Sequence, residues 1–240
     1  MHVCWLAALL PLVVLLGCTP GIQAAGESIV HMFKPSARGQ ESALDPNFSY
    51  LRITRGRHTG LLWRGSIERS PDGPIEVYYS GTGEVLRLQN GRVVSALGLT
   101  TEWRRVELAG APTWAALAEA SGPISFQRFR DVMPGYRANL RDDLTIRAIS
   151  PPSSSGLLGA EPRELRWFEE RSAGSTLVQR LSAARPAPLP AARYAVAMQG
   201  RDATVTYSEQ CLAADLCFTW ERWSAAIQAA RRGSRRPPPE

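Results

Sequence analysis

The stretch VLRLQNGRVVSAL, residues 85–97, decides the fold, because it places an Asn-Gly pair between two short runs typical of β-strands. Asn and Gly tolerate the positive backbone angles of a tight two-residue turn, and the pair is the strongest short-range signal for a β-hairpin. The sequence therefore predicts two antiparallel strands that meet at Asn90 and Gly91.

Strand-like runs separated by turn residues continue on both sides of this hairpin. Further predicted strands are Tyr50–Thr54, Thr59–Trp63, Ile75–Tyr79, Ile124–Val132, Leu144–Ile149, Arg163–Arg171, Thr176–Leu181, Arg193–Met198 and Ala203–Ser208. Their connections are too short for parallel crossovers, which need a dozen residues or more. We therefore expect a mainly β fold, an antiparallel barrel-like or sandwich domain with short helices, one of them over Thr113–Ala120 with Thr113 as its cap.

The N-terminus has the features of an export signal. Val3–Leu16 is a run of fourteen uncharged residues, which is short for a transmembrane helix of roughly 20 residues but suits the apolar core of a signal peptide. Leu15–Cys18 follows and resembles the bacterial lipobox, in which the cysteine is linked to diacylglycerol. We expect lipid attachment at Cys18; a cleaved signal without lipid is the alternative. Thr19, where Asp would favour the inner membrane, points to the outer membrane.

These features divide the chain into four parts. We expect a lipoprotein signal peptide at 1–17, a lipidated tether with a short helix at 18–44, a single mainly β domain at 45–230, and a disordered basic tail at 231–240. Cys4 is lost with the signal and Cys18 is consumed by lipid. Cys211 and Cys217 are then the remaining pair, and in an oxidising compartment they predict one structural disulfide.

The composition, 44% hydrophobic and 21% charged, excludes a disordered, collagenous or multi-span membrane chain. The net charge is +6, and all but one of the 28 basic residues are arginine, which we attribute to genome composition rather than to a nucleic-acid surface. This positive charge could attract an anionic polysaccharide or lipid headgroups. We expect no nucleic-acid partner, no metal and no cofactor.

No catalytic motif is present, and we expect no catalytic residue. Asp142-Asp143 and Glu169-Glu170 are adjacent pairs on predicted strands, where neighbours point to opposite faces, so neither pair converges. We expect both pairs on a solvated edge. A periplasmic glycan-modifying hydrolase remains an alternative, because its two carboxylates can be distant in sequence.

Aromatic residues are the more informative set. Tyr78 and Tyr79 must face opposite sides of one strand, so we expect at least one of them at the surface, and both are candidate glycan contacts. Other aromatic residues could also stack on sugars, although packing in the core is the expectation for most tryptophans; they are Trp63, Trp103, Tyr136, Trp167, Trp220 and Trp223.

Several sequence blocks resemble the YjbF/GfcB family of lipoproteins, which are associated with exopolysaccharide and group 4 capsule gene clusters. The blocks are Asp45-Pro46, Tyr50–Arg52, Glu76–Ser80, Glu84–Leu88, Gly91-Arg92, Gly98-Leu99, Glu102-Trp103, Arg130-Asp131, Met133–Tyr136, Gln210-Cys211, Cys217 and Trp220. The resemblance implies a mainly β, barrel-like fold, an outer-membrane location and an accessory role in polysaccharide export. Partners would be the outer membrane through the anchor, and a polysaccharide or other export proteins. The resemblance supplies no catalytic residue.

We expect Cys18→Ser to abolish labelling with radioactive palmitate and to release the protein from the membrane fraction, because the thioether to diacylglycerol requires the thiol. Cys4→Ser, in the segment to be removed, is the matched control and should label like the wild type. Continued labelling of Cys18→Ser would refute the lipobox interpretation.

Overall fold

The computed structural model describes residues 44–173, 188–200 and 202–227, and in this part of the chain twelve strands form one closed antiparallel barrel. Each strand pairs with its neighbours in sequence, and β12 closes the ring against β1. The strands are β1 (Tyr50–Arg55), β2 (His58–Glu68), β3 (Ile75–Tyr79), β4 (Val85–Gln89), β5 (Arg92–Leu97), β6 (Glu102–Ala109), β7 (Ile124–Met133), β8 (Arg137–Ile149), β9 (Arg166–Ser172), β10 (Ala192–Gln199), β11 (Asp202–Ala213) and β12 (Leu216–Trp223). The fold is thus mainly β, as predicted, and of the two predicted forms it is the barrel.

The predicted Asn-Gly hairpin is confirmed as β4 and β5. Asn90 and Gly91 have φ angles of 50° and 76°, which is the left-handed region that such a turn needs. Gly91 has a second role, because a Cβ at this position would clash with Val205 of β11 across the barrel end. The turn therefore fixes the hairpin and lets the two walls approach each other.

One short α-helix, α1 (Trp114–Glu119), begins where the sequence predicts. The Thr113 side chain accepts a hydrogen bond from the backbone N–H of Ala116 at 3.2 Å, which is an N-cap. A 3₁₀ turn at Pro162–Glu164 precedes β9. No helix among the described residues is long and apolar enough to cross a membrane.

The predicted partner of β9 is different in the structure. The sequence suggested a hairpin between Arg163–Arg171 and Thr176–Leu181, but β9 pairs with β8 on one side and with β10 on the other. Thr176–Leu181 lies outside the described residues. The predicted signal peptide, Cys18, the predicted tether helix and the predicted basic tail also lie outside them.

The barrel has a near end, where β1 begins and β12 ends, and a far end at the opposite rim. Helix α1 lies at the near end and inserts Trp114 into the barrel, where its ring packs against Phe168 and Tyr194. Inward apolar side chains fill much of the interior; they include Leu51, Ile53, Leu62, Leu86, Leu88, Val196 and Trp220. A small second core lies outside β9–β11, where Leu157 and Leu165 cover Trp167, Ala195 and Tyr207.

The predicted disulfide is present and links neighbouring strands. Cys211 of β11 and Cys217 of β12 are direct partners in the sheet, and their sulfur atoms are bonded. The bond closes the hairpin at the far end of the barrel, so it restricts the unfolded chain only over a short loop.

We expect the Cys211→Ala/Cys217→Ala double variant to unfold with a free energy about 2 kcal/mol lower than that of the wild type, from the loop-closure entropy of so short a loop. Urea titration of the purified protein measures this difference. Wild-type protein under dithiothreitol should lose the same amount, and equal midpoints for all three samples would contradict the prediction.

Candidate functional site

The two candidate glycan contacts lie on opposite faces of β3, as strand alternation requires. Tyr78 faces inward and is fully buried. Its hydroxyl donates to Oε1 of Glu76 at 3.2 Å and accepts from Nη1 of Arg222 at 3.2 Å. Burial, with the nearby Glu76 carboxylate, raises the pKa of Tyr78 to about 12. Tyr78 is thus not accessible to a glycan, and its expected role is corrected: it fills the barrel and completes a buried polar cluster.

Tyr79 faces outward and keeps part of its surface exposed. Its ring lies over Gly65 in β2, where an added Cβ would stand 2.6 Å from Cε2 of the tyrosine. Its cross-strand partner is Trp63, whose side chain is 40% exposed. The Tyr79 ring thus packs against Gly65 while part of its surface remains exposed.

The pair extends into a row of four aromatic side chains, which we call the outer aromatic strip: Trp223, Tyr50, Trp63 and Tyr79. Tyr50 pairs with Trp63 on β2 and with Trp223 on β12, so the row crosses four adjacent strands in register and spans about 14 Å at the usual strand spacing. Trp223 is buried, so the accessible part of the strip consists of Tyr50, Trp63 and Tyr79. Phe48, just before β1, is exposed beside Tyr50, with ring centroids 6.5 Å apart.

The barrel interior contains charges as well as apolar side chains. We call Arg92, Arg128, Arg130, Asp142 and Glu170 the interior charge cluster; all five face inward from β5, β7, β8 and β9. Asp142 accepts from Nε of Arg128 at 2.8 Å and from Nε and Nη2 of Arg130 at 2.6 and 2.9 Å. Glu170 accepts from Nη1 of Arg128 at 3.2 Å. Each carboxylate is thus bound by arginine.

Aromatic rings complete this cluster. The guanidinium carbons of Arg128 and Arg130 both lie 4.9 Å from the ring centroid of Trp103, and Arg92 lies 4.1 Å from that of Trp114. Cation–π contacts of this kind gain strength where water is excluded. The arrangement offsets the desolvation of three guanidiniums that share two carboxylates. Nε of Arg92 lies 3.9 Å from Glu170, which also binds Arg128.

The carboxylates expected on a solvated edge are mostly buried. Asp142 and Glu170 face inward, and Glu169 is buried on the outer face among arginines, while Asp143 remains partly exposed. The sequence could not show this for Asp142 and Glu170, because their arginine partners come from other strands, whereas Arg171 binds Glu169 from two residues along the same strand. The prediction that each pair points to opposite faces is correct.

The cluster offers no acid–base pair of the usual kind. Burial raises the pKa of Asp142, but the hydrogen bond from Arg130 and the charges of Arg128 and Arg130 outweigh burial and lower it. A general acid needs the opposite displacement. Among the described residues no three metal-ligating side chains converge. A cavity of about 10 Å³, lined in part by Trp103, Arg128 and Glu170, has room for about one water.

Comparisons with known proteins identify a structure with a similar fold. No protein-family model matches the chain, and no curated protein matches it. Among solved structures, the chain is similar to the crystal structure of the hypothetical lipoprotein YmcC from Escherichia coli (K12), with a TM-score of 0.51 and 19% identity. The similarity covers 78% of this chain and 91% of that chain. At this identity the likeness shows a shared barrel fold.

We expect Asp142→Asn to lower the free energy of unfolding by about 3 kcal/mol, because it leaves the buried guanidinium of Arg130 without a carboxylate and leaves Arg128 with Glu170 alone. Urea titration at neutral pH measures the loss. Asp143→Asn is the matched control on the outer face, where loss of the ion pair with Arg141 should cost at most about 1 kcal/mol. Equal losses in the two variants would contradict the role given to the interior charge cluster.

The difference in unfolding free energy between the wild type and Asp142→Asn should depend on pH. The folded pKa of Asp142 is lower than its unfolded value, so its stabilising effect is complete above the unfolded pKa, about 3.9, and disappears as the pH falls through the folded pKa. The difference between wild type and Asp142→Asn should therefore shrink below about pH 4. A difference that stays constant down to the acid unfolding transition would show that the charge of Asp142 is unimportant.

Proposed function

We propose that this protein is an accessory component of exopolysaccharide or capsule export, lipid-anchored through Cys18 at the periplasmic face of the outer membrane. The observation that carries the binding role is the outer aromatic strip. The lipobox-like Leu15–Cys18 and the fold likeness to a protein described as a hypothetical lipoprotein support the anchor. In this proposal the polysaccharide lies against the strip.

The strip has the chemistry that sugar recognition uses. Pyranose rings present C–H faces that pack on indole and phenol rings, while the polar tips of Tyr and Trp bind hydroxyl groups. Trp63 and Tyr79 are neighbours with exposed surface, and Tyr50 continues the row on the other side of Trp63. An accessible aromatic row that crosses three strands suits an extended chain better than a small molecule.

A protein partner is the competing occupant of this region. Leu61, Trp63 and Ile67 of β2 and Phe48 are all exposed, and contiguous exposed apolar side chains often mark protein interfaces. The in-register aromatic row favours the glycan, because a protein interface requires no such alignment. The interior charge cluster gives no support to a hydrolase, because arginines bind both of its carboxylates.

We expect Trp63→Ala and Tyr79→Ala each to reduce cell-surface polysaccharide several-fold in a deletion strain complemented with the variant, because each removes a stacking surface. Tyr136→Ala is the matched control: this tyrosine is 80% exposed in the turn between β7 and β8, away from the strip. Membrane fractionation and urea titration confirm that each variant is anchored and folded. Wild-type export from both strip variants would contradict the proposal.

The same assay tests the enzyme alternative. Under the binding proposal, Asp143→Ala leaves export intact, and Asp142→Asn and Glu170→Gln reduce it only as far as they reduce the amount of folded protein. Complete loss of export from one carboxylate variant whose folding and anchoring match the wild type would favour a hydrolase instead.

A further inference from the structure

A second polar feature lies on the outer wall formed by β8, β9 and β10. We call it the outer arginine patch: Arg147, Arg171 and Arg193 surround the carboxylate of Glu169. Arg171 binds both oxygens of Glu169, through Nε at 2.7 Å and Nη2 at 2.8 Å. Arg193 and Arg147 approach the same carboxylate at 3.9 and 3.6 Å. Three guanidiniums therefore converge on one anionic group.

The carboxylate is buried while the guanidiniums are open to solvent. The Glu169 side chain is 5% exposed, whereas those of Arg147, Arg171 and Arg193 are 57%, 60% and 39% exposed. Hydrogen bonds from Arg171 lower the pKa of Glu169, so the carboxylate stays charged at neutral pH. Two hydrogen bonds to this carboxylate hold Arg171, and Arg147 and Arg193 lie 3.6 and 3.9 Å from it with much of their side chains exposed.

Positive charge remains in excess at this wall. Glu209 on β11 balances Arg193 at 3.3 Å, and Glu169 balances one further arginine, so one guanidinium is left over.

We propose that the outer arginine patch binds the acidic groups of an anionic polysaccharide, carboxylates or phosphates borne on its sugars. The inference rests on the proposed export function and adds the class of polysaccharide. Guanidinium groups bind such groups through paired N–H donors. A buried carboxylate that binds Arg171 and attracts Arg147 and Arg193 reduces the cost of ordering their side chains.

The patch is separate from the outer aromatic strip, because β11 lies between β10 and β12 in the ring. The two surfaces use different chemistry: the strip recognises the faces of sugar rings regardless of charge, and the patch recognises acidic substituents. A polysaccharide that uses both would have to carry acidic groups and follow the curved outer wall.

The test uses the full-length lipidated protein in detergent, with polygalacturonate as the acidic probe and dextran as the neutral one. Affinity electrophoresis in gels that contain each polysaccharide gives the dissociation constants. We expect Arg147→Gln and Arg193→Gln each to weaken polygalacturonate binding about two- to fivefold at low salt, as expected for one exposed charge pair, and the double variant to weaken it further. Dextran binding should not change.

Two further variants make the result specific. Arg104→Gln removes a similarly exposed arginine on β6, paired with Glu102 at 2.8 Å, and should bind polygalacturonate like the wild type. Arg147→Lys keeps the charge and should recover part of the loss. Raising the salt concentration should weaken wild-type binding, because the contacts are exposed.

The outcomes that overturn the inference are distinct. Equal losses from Arg104→Gln and Arg147→Gln would mean that only net charge matters. Wild-type polygalacturonate binding by the double variant would remove the patch as a site. Tighter patch-dependent binding to phosphatidylglycerol vesicles than to polygalacturonate would make a lipid surface the ligand. If the proposed export function itself is wrong, the deletion strain should carry a normal amount of surface polysaccharide, whatever the binding result.

Discussion

The pairing of buried arginines with buried carboxylates inside the barrel is the constraint on which the rest of the molecule depends. A closed ring of twelve strands encloses more space than its aliphatic side chains fill, and here part of that space holds guanidiniums. A buried charge without a partner is destabilising, so Arg128 and Arg130 require Asp142, and Trp103 packs against both. These contacts join β6, β7 and β8 through the interior as well as along their edges.

Because apolar side chains and the interior charge cluster occupy much of the interior, both proposed recognition surfaces are on the outer walls. A cavity near Trp103 has room for about one water. The outer aromatic strip and the outer arginine patch lie on different walls and differ in chemistry. A barrel of this kind acts as a rigid support that presents two unlike surfaces, and it does not need to enclose a ligand.

Local signals in the sequence predicted the local structure well. Asn90-Gly91, the Thr113 cap and the alternation of Tyr78 and Tyr79 each depend on a few adjacent residues, and the structure contains all three. The predicted solvated edge failed at Asp142, because its partners Arg128 and Arg130 are twelve or more residues away and only the register of β7 against β8 brings them together. The outer aromatic strip could not be predicted for the same reason. Alternation places Tyr50 and Trp63 on the outer face, but only the pairing of β1 with β2 aligns them.

Ring closure also governs how the chain can fold. β1 pairs with β12 from Tyr50 against Trp223, and these residues stand near opposite ends of the described chain. As the chain is synthesised from its N-terminus, one edge of β1 stays unpaired until the last strand emerges, although each sequential hairpin can form early. Contacts between such distant residues slow folding, and an open strand edge invites pairing with other chains. The closing pair therefore sets the longest interval during which the unfinished barrel is open to aggregation.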